Sequence, residues 1–391
     1  MLIYKMSTLF PVTVVGSWPR PKWLLDTLRK KREGKISEEE FQAIADEAVL
    51  IAIKYQEDAG VDIISDGEQR RDNFYSFVAD KIEGIELKTV AEFMDFAEDK
   101  SAFEALLRKL DVPAFAIRSP IVTNYIHKRI PLALNEAKFL KEHTNKKIKV
   151  ALPGPYLLTR SSWIKGISDK YYKKKEDLAE EFSKILREEI ILLRDAGVDF
   201  VQLDEPVLME VLYGPELSVQ TFMCAALTAK ENPRDELNFA VDILNKTVQG
   251  ITGVKLGVHI CRGNWSKSEE AQLKGDYYPL LPFLLDMKVN QYVLEFATKR
   301  AGSIDVFKDY PTEKELGLGV VNPKTDEIER PEDIISLVKK ALNYFRPEQI
   351  YLNPDCGFGT FAESPVNTPK ISFLKLKSIS KAASVLRKEY S

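Results

Sequence analysis

The sequence predicts an α/β protein built as a single (β/α)8 barrel of TIM type, with an insertion between the second and third strands. Three observations lead there. A charged amphipathic helix, a glycine and a short apolar strand ending in polar residues recur along the chain. One such joint is used twice, as DAGVDIIS at residues 58–65 and as DAGVDFVQ at residues 195–202. Eight candidate strands can be counted, most of them separated by helical patterns. Strand alternating with helix implies a parallel sheet, and eight such strands suggest a closed barrel.

The first strand is read at residues 12–15 and runs into Gly16-Ser17. A helix then starts at Ser37, where Ser37 and Glu40 have capping-box spacing. Its apolar stripe passes through Phe41, Ile44, Ala48, Ile51 and Tyr55, and Gly60 ends it. The second strand, 62–65, stops at Asp66-Gly67-Glu68. The stretch before the third strand is longer than one crossover helix needs. Residues 86–146 are therefore read as an insertion, with 114–117 and 121–125 as a candidate hairpin. The third strand is 149–152 and the fourth 200–203, with a helix at 177–194 between them. A helix at 234–248 leads to the fifth strand, 255–258, followed by the sixth at 292–294 and the seventh at 319–321. A helix at 332–344 precedes the eighth strand, 350–352. Thr368 as N-cap and Pro369 at the first helical position start a last helix running to about Arg387. No linker rich in Pro, Gly or Ser interrupts the chain, so residues 1–391 are read as one catalytic domain.

Composition narrows the function. Hydrophobic residues make up 45% of the chain, too many for disorder. The 56 Lys+Arg and 59 Asp+Glu nearly cancel, which argues against a dedicated nucleic-acid binder. The basic run Lys170-Tyr171-Tyr172-Lys173-Lys174-Lys175 is followed at once by acidic residues and reads as a solvated helix start. No apolar run approaches the ~20 residues that span a bilayer, and the N-terminus lacks a signal peptide's apolar core, so a cytoplasmic protein is expected. The cysteines, Cys224, Cys261 and Cys356, form no disulfide framework.

Barrel chemistry sits at the C-terminal ends of the strands. Here those ends carry Gly16-Ser17, Asp66-Gly67-Glu68, Pro153-Gly154-Pro155, Asp204-Glu205-Pro206, His259-Ile260-Cys261, Glu295, Asn322 and Asn353-Pro354-Asp355-Cys356. His259, Cys261, Glu295 and Cys356 offer the nitrogen, thiolate and oxygen donors of tetrahedral zinc. Inert core residues are the alternative, and the pattern alone does not choose. Glu68 and Asp204 are candidate grips for a cationic amino group, with helix capping as the plainer reading. Gly16-Ser17 is a candidate carboxylate site through backbone N–H groups, or an ordinary turn. Trp18, Trp163 and Trp265 wall a cleft or pack the rim. Cys224 is read as packing, and His127 and His143 as surface or satisfied polar residues.

Five motifs then carry a resemblance. TVVGSWPRP, SDGEQRRDNF, VQLDEPVLME, VHIC with LEF, and LNPDCGFGT span nearly the whole chain. In that order they resemble the C-terminal catalytic barrel of cobalamin-independent methionine synthase, in a short form. The resemblance implies a zinc enzyme that methylates the thiol of homocysteine. It implies zinc ligation by His259, Cys261, Glu295 and Cys356. It places the substrate carboxylate on Gly16 and Ser17 and its amino group on Glu68 and Asp204.

Three departures concern the methyl donor. The family's long members have a second, N-terminal barrel for which this chain has no room. Lys324, in GLGVVNPK, stands where the family has a proton-relay His. Phe115-Ala116 aligns with the folate-contacting Arg-Cys pair, and Ser161 with the folate-stacking Trp, with Trp163 two positions on. Glu210 keeps a folate contact. The expected donor is therefore a methylcorrinoid, either methylcobalamin or a corrinoid protein, rather than methyltetrahydrofolate. A folate-dependent synthase, a zinc alkyl-thiol transferase acting on another thiol and a non-catalytic zinc protein are the alternatives.

Overall fold

The structure, a computed structural model, describes residues 8–89, 91, 92, 101, 105, 108, 111, 118–213, 232–268 and 271–391. Its main sheet joins seven strands in parallel: β1 (Ile63–Ile64), β4 (Lys147–Pro153), β5 (Phe200–Asp204), β6 (Lys255–Ile260), β7 (Gln291–Glu295), β8 (Glu315–Val321) and β9 (Ile350–Pro354). β2 (Ile82–Thr89) and β3 (Arg118–Lys128) form a separate antiparallel pair. Val12 bridges Leu352 of β9 and Thr13 bridges Ile63 of β1, both in parallel, so the first segment closes the ring as its eighth member. The eight expected strand positions are thus all present, and the fold is the expected TIM-type barrel.

Between the strands lie α1 (Lys22–Arg32), α2 (Glu38–Asp58), α3 (Leu134–Glu142), α4 (Pro155–Ser162), α5 (Lys175–Asp195), α6 (Val207–Tyr213), α7 (Pro233–Val248), α8 (Leu281–Asp286), α9 (Pro331–Ala341) and α10 (Pro369–Tyr390). The capping box of α2 is as spaced in the sequence. Glu40 N donates to Ser37 Oγ over 3.1 Å, and Ser37 N donates to Glu40 Oε2 over 2.8 Å. Thr368 accepts from Ile371 N and starts α10, with Pro369 at its first position.

Two details differ from expectation. The first strand shrinks to the bridges at Val12 and Thr13, because Val12 N is taken by the Asp62 carboxylate at 2.8 Å instead of a ladder carbonyl. The hairpin mate of β3 is β2, which begins at Ile82, ahead of the expected insertion. Residues 114–117 lie outside the described residues, as do Cys224 and Phe115-Ala116.

The strands of the ring are buried on both faces, as parallel strands under helices must be. Each fully buried Leu, Ile or Phe there contributes ~1.5–3 kcal/mol. A second cluster, Leu24, Leu28, Phe41, Ala45, Ala48 and Ala362, seats α1 on α2. The barrel interior is not purely apolar. Lys149, fully buried, donates to Val14 O at 2.8 Å and to Gln202 Oε1 at 3.2 Å. No helix among the described residues is long and apolar enough to cross a membrane.

Candidate active site

At the C-terminal ends of the strands a cleft encloses about 480 Å³ of space, open solvent included. Ser17, Glu68, Asp204, His259, Cys261 and Cys356 all line it, with Asn264, Trp265, Thr360, Phe74 and Phe361. Residues nominated from five separate stretches of sequence therefore meet in one place.

His259 and Cys261 come from the end of β6 and Cys356 from just past β9. Their ligand atoms lie within 4.8 Å of one another, and all three residues are buried. The His259 Nδ1 sits 3.1 Å from Val293 O. With Nδ1–H donating there, Nε2 is the open nitrogen. That Nε2 is buried and has no hydrogen-bond partner. Cys261 is drawn down to about 5, first by the Cys356 thiol donating to it, with His259 adding to this against burial. Cys356 is pushed up in turn by the same bond and by burial. Burial opposes the His259 imidazolium, but the Cys261 sulfur, Asp204 and Glu295 outweigh it and lift the ring to about 9. Protons thus stabilise a constellation whose natural counter-charge is a cation. An orphaned imidazole nitrogen beside two cysteine sulfurs fits zinc.

Glu295 stands differently. Its Oε1 accepts from Arg262 N at 3.1 Å, and its Oε2 lies 3.7 Å from Arg262 Nη1 and 3.6 Å from Arg300 Nη1. Burial works against this carboxylate, but Lys324, Arg300 and Arg262 keep it below its ordinary range. The structure places it beside the His-Cys-Cys set but turned toward the arginines.

Glu68 occupies a strained position, with φ at 54°. Three backbone anchors hold it there. Glu68 N donates to Asp66 Oδ1 at 2.9 Å, while Glu68 O accepts from Arg20 Nη2 at 2.6 Å and from Arg71 N at 3.0 Å. Its side chain lies so close over Gly16 that a Cβ there would overlap the carboxylate. Gly357 is likewise overlain by the Ser17 hydroxyl. These two glycines let the first, second and eighth strand ends pack together.

Burial lifts Glu68 to about 7, with Asp204 adding to the effect and Arg71 opposing it. Burial also lifts Asp204 to about 6, against His259 and the hydrogen bond from Gln202. Glu68 Oε2 has no partner. Two buried, underpaired carboxylates in one cleft favour a cationic ligand group.

Of the residues nominated for the donor side, Lys324, Glu210 and Trp163 do not line this cleft. Lys324 is buried, and its Nζ donates to Gln272 Oε1 at 2.7 Å. Glu210, also buried, lies 3.6 Å from Arg160 Nη2. Trp163 is half-buried just past α4 and packs on the core. Of the other tryptophans, Trp265 lines the cleft, whereas Trp18 packs between Tyr55 and Phe358. His127 and His143 are exposed.

Three residues at the site went unread in the sequence. Glu205 accepts from Tyr156 N and Leu157 N, so it caps α4 from the neighbouring strand end. Arg71 pairs with Glu136 at 2.7 Å and donates to Ala151 O, filling the space behind Glu68. Asn264 ties the segment after β6 to the segment after β9. Glu205 and Arg71 lie inside nominated motifs and Asn264 just past one, but no role was read for any of them.

Comparison with known proteins agrees with this fold. The family profile described as "Cobalamin-independent synthase, Catalytic domain" matches residues 10–371. The methionine synthase of Pyrococcus abyssi is 31% identical over 382 residues, covering 97% of this chain and 94% of the relative. That of Thermococcus kodakarensis is 30% identical over 382 residues with the same coverage. Among solved structures, a B12-independent methionine synthase from Shewanella, in complex with selenomethionine, superposes with a TM-score of 0.73 at 24% identity, covering 97% of this chain and 98% of the other. A methyltransferase from Methanosarcina mazei has the same fold with a TM-score of 0.58 at 15% identity, covering 97% and 95%.

Proposed function

The chain belongs to the cobalamin-independent methionine synthase family, by its catalytic domain, and from that premise we propose that it moves a methyl group to the thiol of homocysteine, forming methionine. One observation carries the reading. The buried His259-Cys261-Cys356 cluster and the underpaired carboxylates Glu68 and Asp204 line the same cleft. A thiol-bearing amino acid has the two ends that such a cleft can hold.

In this reading His259, Cys261 and Cys356 hold a zinc ion, with Glu295 as the fourth ligand. When bound, the zinc supplies the positive charge that favours loss of a thiol proton at neutral pH. The chain's own residues do the rest. Glu68 and Asp204 take the ammonium, and the Gly16-Ser17 backbone takes the carboxylate. With both fixed, the sulfur can point only along the remaining axis of the cleft. Holding sulfur and methyl donor in line is worth up to ~7–11 kcal/mol of barrier. Trp265, Phe74 and Phe361 give the cleft apolar walls that limit water.

For the donor we favour a methylcorrinoid, as methylcobalamin or on a corrinoid protein, over methyltetrahydrofolate. Folate is a poor leaving group and needs a proton as the methyl departs. Lys324, at the position that resembles the relay His, is engaged with Gln272, and Glu210 is engaged with Arg160. Neither they nor Trp163 line the cleft. Methionine formation is to be measured with the zinc-loaded protein, homocysteine and three donors in parallel: methylcobalamin, methyltetrahydrofolate and its polyglutamate. Turnover with methylcobalamin and little with either folate is expected. Turnover with low-micromolar methylfolate alone would reverse the donor assignment and leave a compact folate-dependent synthase. Methylation of another thiol but not of homocysteine would sink the whole reading.

A further inference from the structure

Asn264 is buried in the wall of the cleft, on the segment that follows β6. Its amide nitrogen is fully used. Nδ2 donates to Gly357 O at 2.7 Å and to Thr360 Oγ1 at 2.6 Å. An amide nitrogen has two N–H groups, so these bonds fix which end is oxygen. Oδ1 is left buried without a partner. A buried acceptor without a donor carries a desolvation cost, so its place in a cleft wall invites a ligand N–H.

Two more acceptors line the same cleft. Glu68 Oε2 has no partner, and Asp204 has one oxygen occupied by Gln202 Nε2 at 2.8 Å. An ammonium group presents three N–H donors and no acceptor. A carboxylate at the third position would crowd a third negative charge into a buried site. An amide oxygen supplies the acceptor without the charge.

We propose that Asn264 is a further substrate-binding residue, whose Oδ1 accepts the third N–H of the substrate ammonium beside Glu68 and Asp204. This rests on the homocysteine reading and deepens it: the cleft selects α-amino thiols over thiols that carry only a carboxylate. Because Nδ2 also tethers the Gly357 segment, the amide couples recognition of the amine to the position of the segment next to Cys356.

The test compares two ligands by calorimetry on the full-length, zinc-loaded protein. One is L-homocysteine. The other is 4-mercaptobutanoate, which has the same thiol and carboxylate but no amine. Wild type should prefer homocysteine. Asn264→Leu should lose at least ~10-fold more affinity for homocysteine than for 4-mercaptobutanoate, while zinc content holds. Thr360→Val, which loosens the tether but keeps the acceptor, should shift both ligands alike. Asn264→Ala only removes atoms and is read in the same way, which covers an unfolded leucine variant. Equal losses for the two ligands, or no loss, in the Asn264 variants would overturn the proposal. A wild-type protein that binds both thiols equally would instead remove the amine pocket and the homocysteine reading with it.

Discussion

Glu68 has an ordinary carboxyl value of 4.5 that rises to about 7 in the fold, chiefly through burial. Two opposite pH dependences follow. In the free protein the raised value favours the neutral form, so this group's stabilising contribution is complete below about 4.5 and is lost as pH rises through about 7. Ammonium binding needs the ionised form, so homocysteine affinity should strengthen between pH 6 and pH 8. Glu68→Gln should weaken binding and flatten that slope. The check is dissociation constants at several pH values, and a mutant slope equal to wild type would remove Glu68 from the amine pocket. The metal set gives a simpler expectation. Cys261→Ser or Cys356→Ser should drop zinc content well below one ion per chain, since each removes one of three clustered donors. Equimolar zinc in both purified variants, by elemental analysis, would contradict the ligand assignment.

At the scale of elements, the site depends on strand ends that pack against one another rather than on any single loop. Gly16 is one tight joint, because the Glu68 carboxylate occupies the volume of a Cβ. Gly16→Ala should push Glu68 aside and raise the KM for homocysteine by at least ~10-fold, with zinc stoichiometry unchanged. An unaltered KM would mean that the loop relaxes without cost. This interlocking also explains what could be read in advance. α2 was legible because its stop and start signals are local: Ser37, Glu40 and Gly60. Cys261 and Cys356 were legible as a cluster with His259 because Cys and His are rare in the chain and these three fell at strand ends. Glu205, Arg71 and Asn264 were not, because their partners lie 49, 65 and 93 residues away. Nothing near Glu205 in sequence says that it will cap a helix from an adjacent strand. The pairing of β3 with β2 was not legible for the same reason, since even its nearest partners, Thr89 and Arg118, are separated by a long stretch of chain.

The whole molecule closes at its least regular member. Among the described residues the first segment makes ladder bridges only at Val12 and Thr13, yet it carries Ser17 into the cleft with Gly16 beside it. α10, at the far end of the chain, compensates. Arg387 Nε donates to Leu9 O at 2.8 Å, and its Nη2 donates to Phe10 O at 3.0 Å and to Asp62 Oδ2 at 2.5 Å. The same Asp62 oxygen accepts from Val12 N. One guanidinium therefore ties the last helix, the first segment and the start of the second strand. The pair is a quarter exposed, so solvent screens part of its worth. Arg387→Ala should still cost ~1–3 kcal/mol, because three backbone-directed or charged bonds go at once. Urea denaturation would show this as a lower midpoint at unchanged slope. The loosened segment should also bind homocysteine more weakly, although Arg387 touches no part of the cleft. Zinc content should hold, because the ligands sit at the ends of β6 and β9. An unchanged midpoint with wild-type affinity would mean that the ring closes without this clasp and that the bridges, with the bonds to the Val14, Val15 and Gly16 carbonyls, hold Gly16 and Ser17 in place.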